Sequence, residues 1–199
     1  MNLFWWTIAE LRAECRKRGL PDSGNKAELI QHLKGSVNPA FWTEQYGISE
    51  REWRVSINKY ERLGSEVLPP YAFLTTSWDL IKQDKLQEAV DKLSSHYRIK
   101  SSPVVRREAK DGEAGEYKEG QIILYPRAFA KDKPDLGYVV YHEFAHHLQE
   151  HKYPFTGKVA ALQEKGRQYT FVQRELFADS FTKGCMQRLG FVFVTKKDQ

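Results

Sequence analysis

The sequence is poor in cysteine and lacks long apolar runs. Its two cysteines, Cys15 and Cys185, lie far apart in 199 residues, which argues against a disulfide framework or a thiolate zinc site. No apolar run approaches the roughly 20 residues that span a membrane, and Leu3 to Trp6 is too short, and lacks the preceding basic residues, to be a signal segment. We therefore expect a soluble, intracellular, cytoplasmic protein with no membrane partner.

Histidine is scarce and unevenly placed, with six residues and none beyond His151. Three of the positions in Tyr-His-Glu-Phe-Ala-His-His, residues 141–147, form an HExxH motif: His142, Glu143 and His146. On a helix the two histidines lie one turn apart on the same face, so both rings can reach one metal ion, while Glu143 leans toward metal-bound water. The motif predicts a Zn²⁺ site with His142 and His146 as ligands and Glu143 as the catalytic base.

The third ligand must be a carboxylate, because no histidine follows His151. Residues 173–181 read as an amphipathic helix with Glu175 and Asp179 four residues apart on one face. We predict that Glu175 ligates the metal and that Asp179 steadies a ligating histidine, since such rings usually donate their second N–H to a carboxylate or carbonyl. Glu164 is the alternative third ligand. Three protein ligands would leave a fourth position for water.

A structural interpretation competes with the metal site. His142 and His146 could be ordinary helix histidines, and Glu175 and Asp179 taken alone could form a solvated helix face. The combination of all these residues favours a metal site. His147 projects about 100° away from His146 on a helix, and we interpret it as a polar surface residue.

The residue that would stabilise an oxyanion is not marked in the sequence. The hydrogen-bond donors Tyr153, Tyr169 and His151 are its candidates, and the sequence does not choose among them.

HExxH followed by a helix with ExxxD resembles the gluzincin group of zinc metallopeptidases. Glu-Leu-Phe-Ala-Asp-Ser-Phe, residues 175–181, is similar to the Glu-x-x-Ala-Asn/Asp-x-Phe of ImmA/IrrE-type and minimal gluzincin peptidases, and the resemblance covers roughly residues 77–190. It implies an α+β, zincin-like domain with a short sheet and an edge strand before the HExxH helix. Residues 120–126 are the candidate for that strand, which could pair with an extended protein or peptide substrate.

Residues 7–34 predict two short helices joined by a turn. One apolar stripe holds Ile8, Leu11 and Cys15, the other holds Leu29, Ile30 and Leu33, and Pro21 to Gly24 is rich in turn residues. This helix-extension-helix resembles the SAP motif, a DNA-binding module, through Ala-Glu-Leu-Arg, Arg-Gly-Leu and Ser-Gly-Asn-Lys-Ala-Glu-Leu-Ile. The resemblance implies DNA as a partner through residues 1–36.

Four basic residues of this module could contact DNA phosphates: Arg12, Arg16, Lys17 and Lys26. The net charge of +5 alone does not establish such a partner. A module with interspersed acidic residues could instead dock protein or serve only as structure.

The remaining chain suggests a linker and the start of the body. Ser49 and Glu52 form a capping-box pattern that opens a helix toward Leu63, and we predict a helix over 77–97 and a strand over 99–107. The predicted plan is an SAP-like module over 1–36, a linker with a helix over 37–76, and a zincin-like domain over 77–199.

These observations predict a DNA-associated zinc metalloendopeptidase that hydrolyses peptide bonds, possibly of DNA-bound proteins. The alternative is a non-catalytic DNA- or protein-binding adaptor of phage or mobile-element origin, built on a zincin scaffold. The intact Glu143 is the feature that argues against the alternative.

Overall fold

The computed structural model describes residues 8–17, 20–23, 29, 32–33, 49–108, 113–129, 133–156 and 167–191. These residues form a mixed α+β structure that is mostly helical and contains a small three-stranded sheet. The elements, in chain order, are α1 Ile8–Lys17, α2 Glu50–Glu66, α3 Tyr71–Lys82, α4 Leu86–Tyr97, β1 Val104–Arg106, β2 Gly115–Lys118, β3 Gln121–Leu124, α5 Pro126–Phe129, α6 Lys133–Lys152 and α7 Arg167–Arg188.

The N-terminal residues form a miniature core of their own. Leu11 and Cys15 of α1 are buried together with Leu29 and Leu33, and Leu20 packs against them. This confirms the two predicted apolar stripes at those four positions. The side chains of Ile8 and Ile30, together with Gly24 and Lys26, lie outside the described residues.

The segment after Ser49 belongs to the main core. Helix α2 opens with the predicted capping box, in which the Glu52 N–H donates to Ser49 Oγ at 3.3 Å and the Ser49 N–H donates to Glu52 Oε2 at 3.0 Å. It runs to Glu66, somewhat beyond the predicted end at Leu63. Tyr60 of α2 and Leu74 of α3 are buried in the same cluster as residues of α4, α6 and α7.

The predicted helix over 77–97 is two helices, so that prediction was wrong in its extent. Helix α3 begins at Tyr71, directly after Pro70, and ends at Lys82. Asp84 has a φ of 64°, a left-handed conformation that an α-helix cannot contain, and α4 then begins at Leu86. The break separates the two helices so that they can pack against each other.

The sheet has the order β1-β3-β2, and this corrects the predicted edge strand. β3 pairs with β1 in parallel and with β2 antiparallel, so it is the central strand. Glu119 and Gly120, with φ of 52° and 76°, form the two-residue turn from β2 to β3. The antiparallel edge is β2, and the strand predicted over 99–107 is confined to Val104–Arg106.

Helix α6 lies at the centre of the body, between the sheet and α7. A Cβ at Gly137 would overlap the ring of Trp78, and a Cβ at Gly115 of β2 would lie 2.7 Å from Val139 Cγ1, so α6 is approached closely from two sides. Most of its residues from Leu136 to Gln149 are buried. In the described ranges, no helix combines the length and apolarity that crossing a bilayer requires.

Candidate metal centre

Helix α6 carries the three HExxH residues in its buried middle. The exposed fraction is 0% for His142, 2% for Glu143 and 4% for His146. The two imidazole rings lie 4.9 Å apart between centroids, nearly perpendicular to each other. Helical spacing of four residues accounts for this placement, because it sets both side chains on one face.

Helix α7 brings Glu175 against both histidines. Glu175 Oε2 lies 3.3 Å from His142 Nε2, and Glu175 Oε1 lies 3.4 Å from His146 Nε2. Among the described residues, His142, His146 and Glu175 form a cluster whose possible ligand atoms all lie within 4.8 Å of one another. The structure therefore brings the three predicted ligands together at one buried point, as a group that could hold a metal ion.

The ring nitrogens of His142 are buried without a hydrogen bond. Both Nδ1 and Nε2 lack a hydrogen-bonding partner, and so does Nδ1 of His146. Glu175 Oε2 approaches His142 Nε2 to 3.3 Å, which is an ion-pair distance. Because buried polar atoms in folded proteins nearly always have partners, a cation bound beside Glu175 would supply one for His142 Nε2.

Asp179 lies behind His142, one helical turn beyond Glu175. Its Oδ1 is 3.3 Å from His142 Nδ1, and the hydroxyl of Tyr138 donates to the same oxygen at 3.4 Å. The Tyr138 ring also stacks on the His142 ring, with an interplanar angle of 17°. Sequence reasoning predicted Asp179 and missed Tyr138, although its position four residues before His142 places it on the same helix face.

Burial and mutual contact set the charge states at this site. Burial lowers the pKa of His146 to about 3, although Glu175 opposes the shift, so the ring is neutral near pH 7. Burial raises the pKa of Glu175 while the rings of His146 and His142 lower it, and the net pKa lies well below its ordinary value. Neutral imidazole and ionised carboxylate are the forms that bind metal.

Glu143 lies between the helix and the sheet edge. A Cβ at Gly115 would come within 3.2 Å of Glu143 Cγ, so the N-terminal end of β2 touches this side chain. Burial raises the pKa of Glu143, and the carboxylates of Glu175 and Glu113 raise it further against the lowering effect of His142. A carboxylate in this environment holds a proton more readily than one in water.

His147 corrects the prediction of a surface residue. It is buried, with Nε2 2.8 Å from the carbonyl oxygen of Lys100 and Nδ1 3.2 Å from the hydroxyl of Tyr117 on β2. Helices α3, α4 and α5 and strands β2 and β3 also contact α6, so its side away from the ligands is interior as well. Apart from the three HExxH residues and His147, residues 136–148 are apolar or glycine, and this is the sequence signal for a helix that is buried on several sides.

Of the three candidate oxyanion donors, the structure describes the side chains of His151 and Tyr153. His151 is exposed and lies 3.4 Å from the Tyr117 hydroxyl through Nε2, and the ring of Tyr153 packs against Phe177. The side chain of Tyr169 and the alternative ligand Glu164 lie outside the described residues.

The basic residues of the N-terminal unit lie at the surface where the structure describes them. Arg12, Arg16 and Lys17 are exposed, and Arg16 Nη1 pairs with Asp22 Oδ2 at 2.9 Å. The Lys17 ammonium lies 3.8 Å from Glu14 Oε2. Lys26 is outside the described residues.

Comparison with known proteins identifies the N-terminal module. Residues 2–37 match the family model of the SAP domain. This supports the predicted DNA-binding motif and makes nucleic acid a partner that the chain is equipped to bind. No curated protein and no solved structure matches the chain significantly.

Proposed function

We propose that this protein is a DNA-associated zinc metallopeptidase that hydrolyses peptide bonds of proteins bound to DNA. The observation that carries the proposal is the position of Glu175, which faces His142 at 3.3 Å and His146 at 3.4 Å in a buried cluster. The SAP match over residues 2–37 supports the association with DNA.

Each oxygen of Glu175 lies near one ring, Oε2 by His142 and Oε1 by His146, at the spacing of neighbouring zinc ligands. Nitrogen and oxygen ligands bind Zn²⁺ at about 2.0–2.2 Å, so two ligands of a tetrahedron are about 3.3–3.5 Å apart. Both contacts of Glu175 fall in this range. A bound cation would also be the partner that the buried His142 Nε2 lacks.

His142, His146 and Glu175 would hold the ion and leave a fourth position for water. When bound, zinc polarises a carbonyl group and lowers the pKa of water toward about 7. The carboxylate of Glu143, adjacent to His142 on the helix, accepts a proton from the water that adds to the scissile carbonyl carbon. As the carbon–nitrogen bond breaks, Glu143 returns this proton to the leaving amine. Its burial and raised pKa suit a group that must hold the proton between the two steps.

The β2 edge offers a substrate-binding backbone beside Glu143. The Tyr125 N–H donates to the Ala114 carbonyl at 3.0 Å, so these two residues form a hydrogen-bonded pair. Such pairs alternate with non-hydrogen-bonded pairs along an antiparallel ladder. In the β2–β3 register, the N–H and C=O of Gly115 and Tyr117 therefore point away from β3. An extended peptide pairing with these groups would pass Glu143 at Gly115. This assigns to β2 the role that the sequence suggested for residues 120–126.

The first test measures the metal. Wild-type protein purified without added chelator is expected to contain one equivalent of zinc by elemental mass spectrometry, and His146→Ala is expected to contain much less. The matched control is His151→Ala, which removes an exposed histidine from the same helix and should keep the zinc. Equal zinc content in His146→Ala and wild type would contradict the proposed ligand set.

The second test measures the chemistry. Glu143→Gln should keep zinc and lose at least about a thousandfold in the rate of cleavage of a disordered protein, because the base is removed while the ligands stay. Each protein is also assayed on a substrate that binds DNA, with and without DNA. DNA should increase the cleavage rate of the wild type only. Equal cleavage by wild type and Glu143→Gln would refute the base. No cleavage by zinc-loaded wild type would favour the adaptor.

A further inference from the structure

Three exposed cations lie near the ends of α4 and α6, namely Arg98, Lys100 and Lys152, and exposed Lys92 lies on α4 five residues before its last residue. Helix α4 ends at Tyr97 and α6 ends at Lys152, and the Lys152 ammonium donates to the Tyr97 carbonyl at 2.7 Å. Arg98 follows directly, and the Lys100 carbonyl is fixed by His147 at 2.8 Å. The basic patch, defined as Lys92, Arg98, Lys100 and Lys152, is exposed at every member.

Aromatic rings join the fourth cation to the others. The Lys92 ammonium lies 5.0 Å above the Phe73 ring, which is 4.8 Å from the His96 ring. His96 in turn lies 4.6 Å from Tyr97. Phe73 and His96 are partly exposed, so the basic patch contains ring surface as well as positive charge.

The cations of the basic patch have no carboxylate partners in the described part of the chain. Asp91, next to Lys92 in the chain, accepts hydrogen bonds from Gln87 and Ser101. Other described cations have carboxylate partners, among them Arg16, Lys17, Arg62, Lys82, Arg106 and Lys118.

We infer that the basic patch is a second DNA-binding surface, which binds the phosphate backbone together with the SAP module. Unpaired surface cations attract polyanions and release their counterions on binding, and exposed rings beside them can stack on bases. The SAP match makes DNA the favoured polyanion, because DNA held by residues 2–37 is present at high effective concentration near the same chain. The inference rests on the DNA association in the proposed function and not on peptidase chemistry.

One member of the basic patch lies on the same helix as His142 and His146 of the metal cluster. Lys152 lies six residues beyond His146 on α6, which is about 9 Å along the helix axis. DNA bound there would bring proteins attached to it close to the metal cluster.

The test is a salt titration of DNA binding by the full chain. Lys92→Gln, Arg98→Gln and Lys100→Gln are combined in one variant, and Lys152 is kept because it caps Tyr97. Because this variant can no longer neutralise up to three phosphates, the slope of log K against log salt should become shallower by about 2 to 3, and affinity near 100 mM salt should fall at least about tenfold. Fluorescence anisotropy of a labelled oligonucleotide measures both.

The matched control combines Arg62→Gln, Lys82→Gln and Lys118→Gln. It removes the same charge from exposed residues that are already ion-paired, and should leave the slope near that of wild type. Equal slopes for the two triple variants would overturn the inference. It would also be overturned if the triple variant of the basic patch lost binding to phosphatidylserine vesicles and kept its DNA affinity. If the triple variant is misfolded by circular dichroism, Lys100→Gln alone should still change the slope by about 1, and no change would refute the patch.

This result is independent of catalysis. If the Glu143→Gln variant cleaves as well as wild type, the proposed base is refuted and the salt titration can still be interpreted. A patch variant with the DNA affinity of wild type would refute the second surface and leave the metal tests untouched.

Discussion

Asp179 Oδ1 lies 3.3 Å from Nδ1 of His142, at the opposite end of the ring from Glu175. The ring is thus held between one carboxylate that faces the cluster and another behind it. Such an outer carboxylate fixes the orientation of a ligating imidazole and raises its basicity.

Asp179→Asn should weaken zinc binding by about 10- to 100-fold, because the amide keeps the shape of the side chain and loses its charge. Competition with a chromophoric chelator measures the affinity. Asp84→Asn, which removes a carboxylate from the exposed pair with Arg106, is the control and should leave zinc affinity unchanged. Equal zinc affinity in the two variants would show that Asp179 does not support His142.

Gly115→Ala should reduce peptidase activity per folded molecule. The added Cβ would lie 2.7 Å from Val139 Cγ1 and 3.2 Å from Glu143 Cγ, so the base must shift. Overpacking of this kind also costs about 1–3 kcal/mol of stability, which urea unfolding measures alongside activity.

Gly137→Ala is the control for this substitution, because it overpacks α6 against Trp78 without touching Glu143. It should lose stability and keep its activity per folded molecule. Adding Val139→Ala to Gly115→Ala should recover part of the activity. If the two glycine variants lose activity equally, contact with Glu143 is not the cause.

Tyr117→Phe should destabilise the protein by about 1–2 kcal/mol. His147 Nε2 must carry its hydrogen, because it faces the Lys100 carbonyl, and a neutral ring therefore accepts the Tyr117 O–H at Nδ1. Without the hydroxyl, a buried nitrogen loses its donor. Urea unfolding should show no comparable loss for Tyr71→Phe, whose side chain is 62% exposed.

Asp22→Asn should strengthen DNA binding by about 1.4- to 5-fold, a range set by the 0.2–1 kcal/mol of an exposed ion pair. Arg16 now pairs with Asp22 at 2.9 Å and must give up that carboxylate to contact a phosphate. Glu66→Gln makes the same charge change and releases Arg62 on the body. If both variants gain equally, net charge rather than Arg16 explains the gain.

The sequence predicted which side chains come together better than it predicted the architecture around them. Periodicity places His142 and His146 on one face of α6 and Glu175 and Asp179 on one face of α7, and the structure brings these faces together. Local spacing carries that information. The HExxH motif required a third ligand, and the lack of any histidine beyond His151 restricted the choice.

The sequence did not predict the order of the strands in the sheet. Residues 121–124 have the composition of a strand, but whether β3 is central or at the edge depends on β1, which pairs with it in parallel from a distance along the chain. The break at Asp84 was also missed, because an aspartate adopts either helical or left-handed backbone according to its surroundings.

Gly64 of α2 meets α7 with no space for a side chain, because a Cβ there would overlap the carbonyl oxygen of Phe177. Phe177 is only two residues from Glu175. The absence of a side chain at Gly64 therefore sets how closely α7 packs against α2. Any larger residue at position 64 would push α7 away from α2 and move Glu175 relative to His142 and His146.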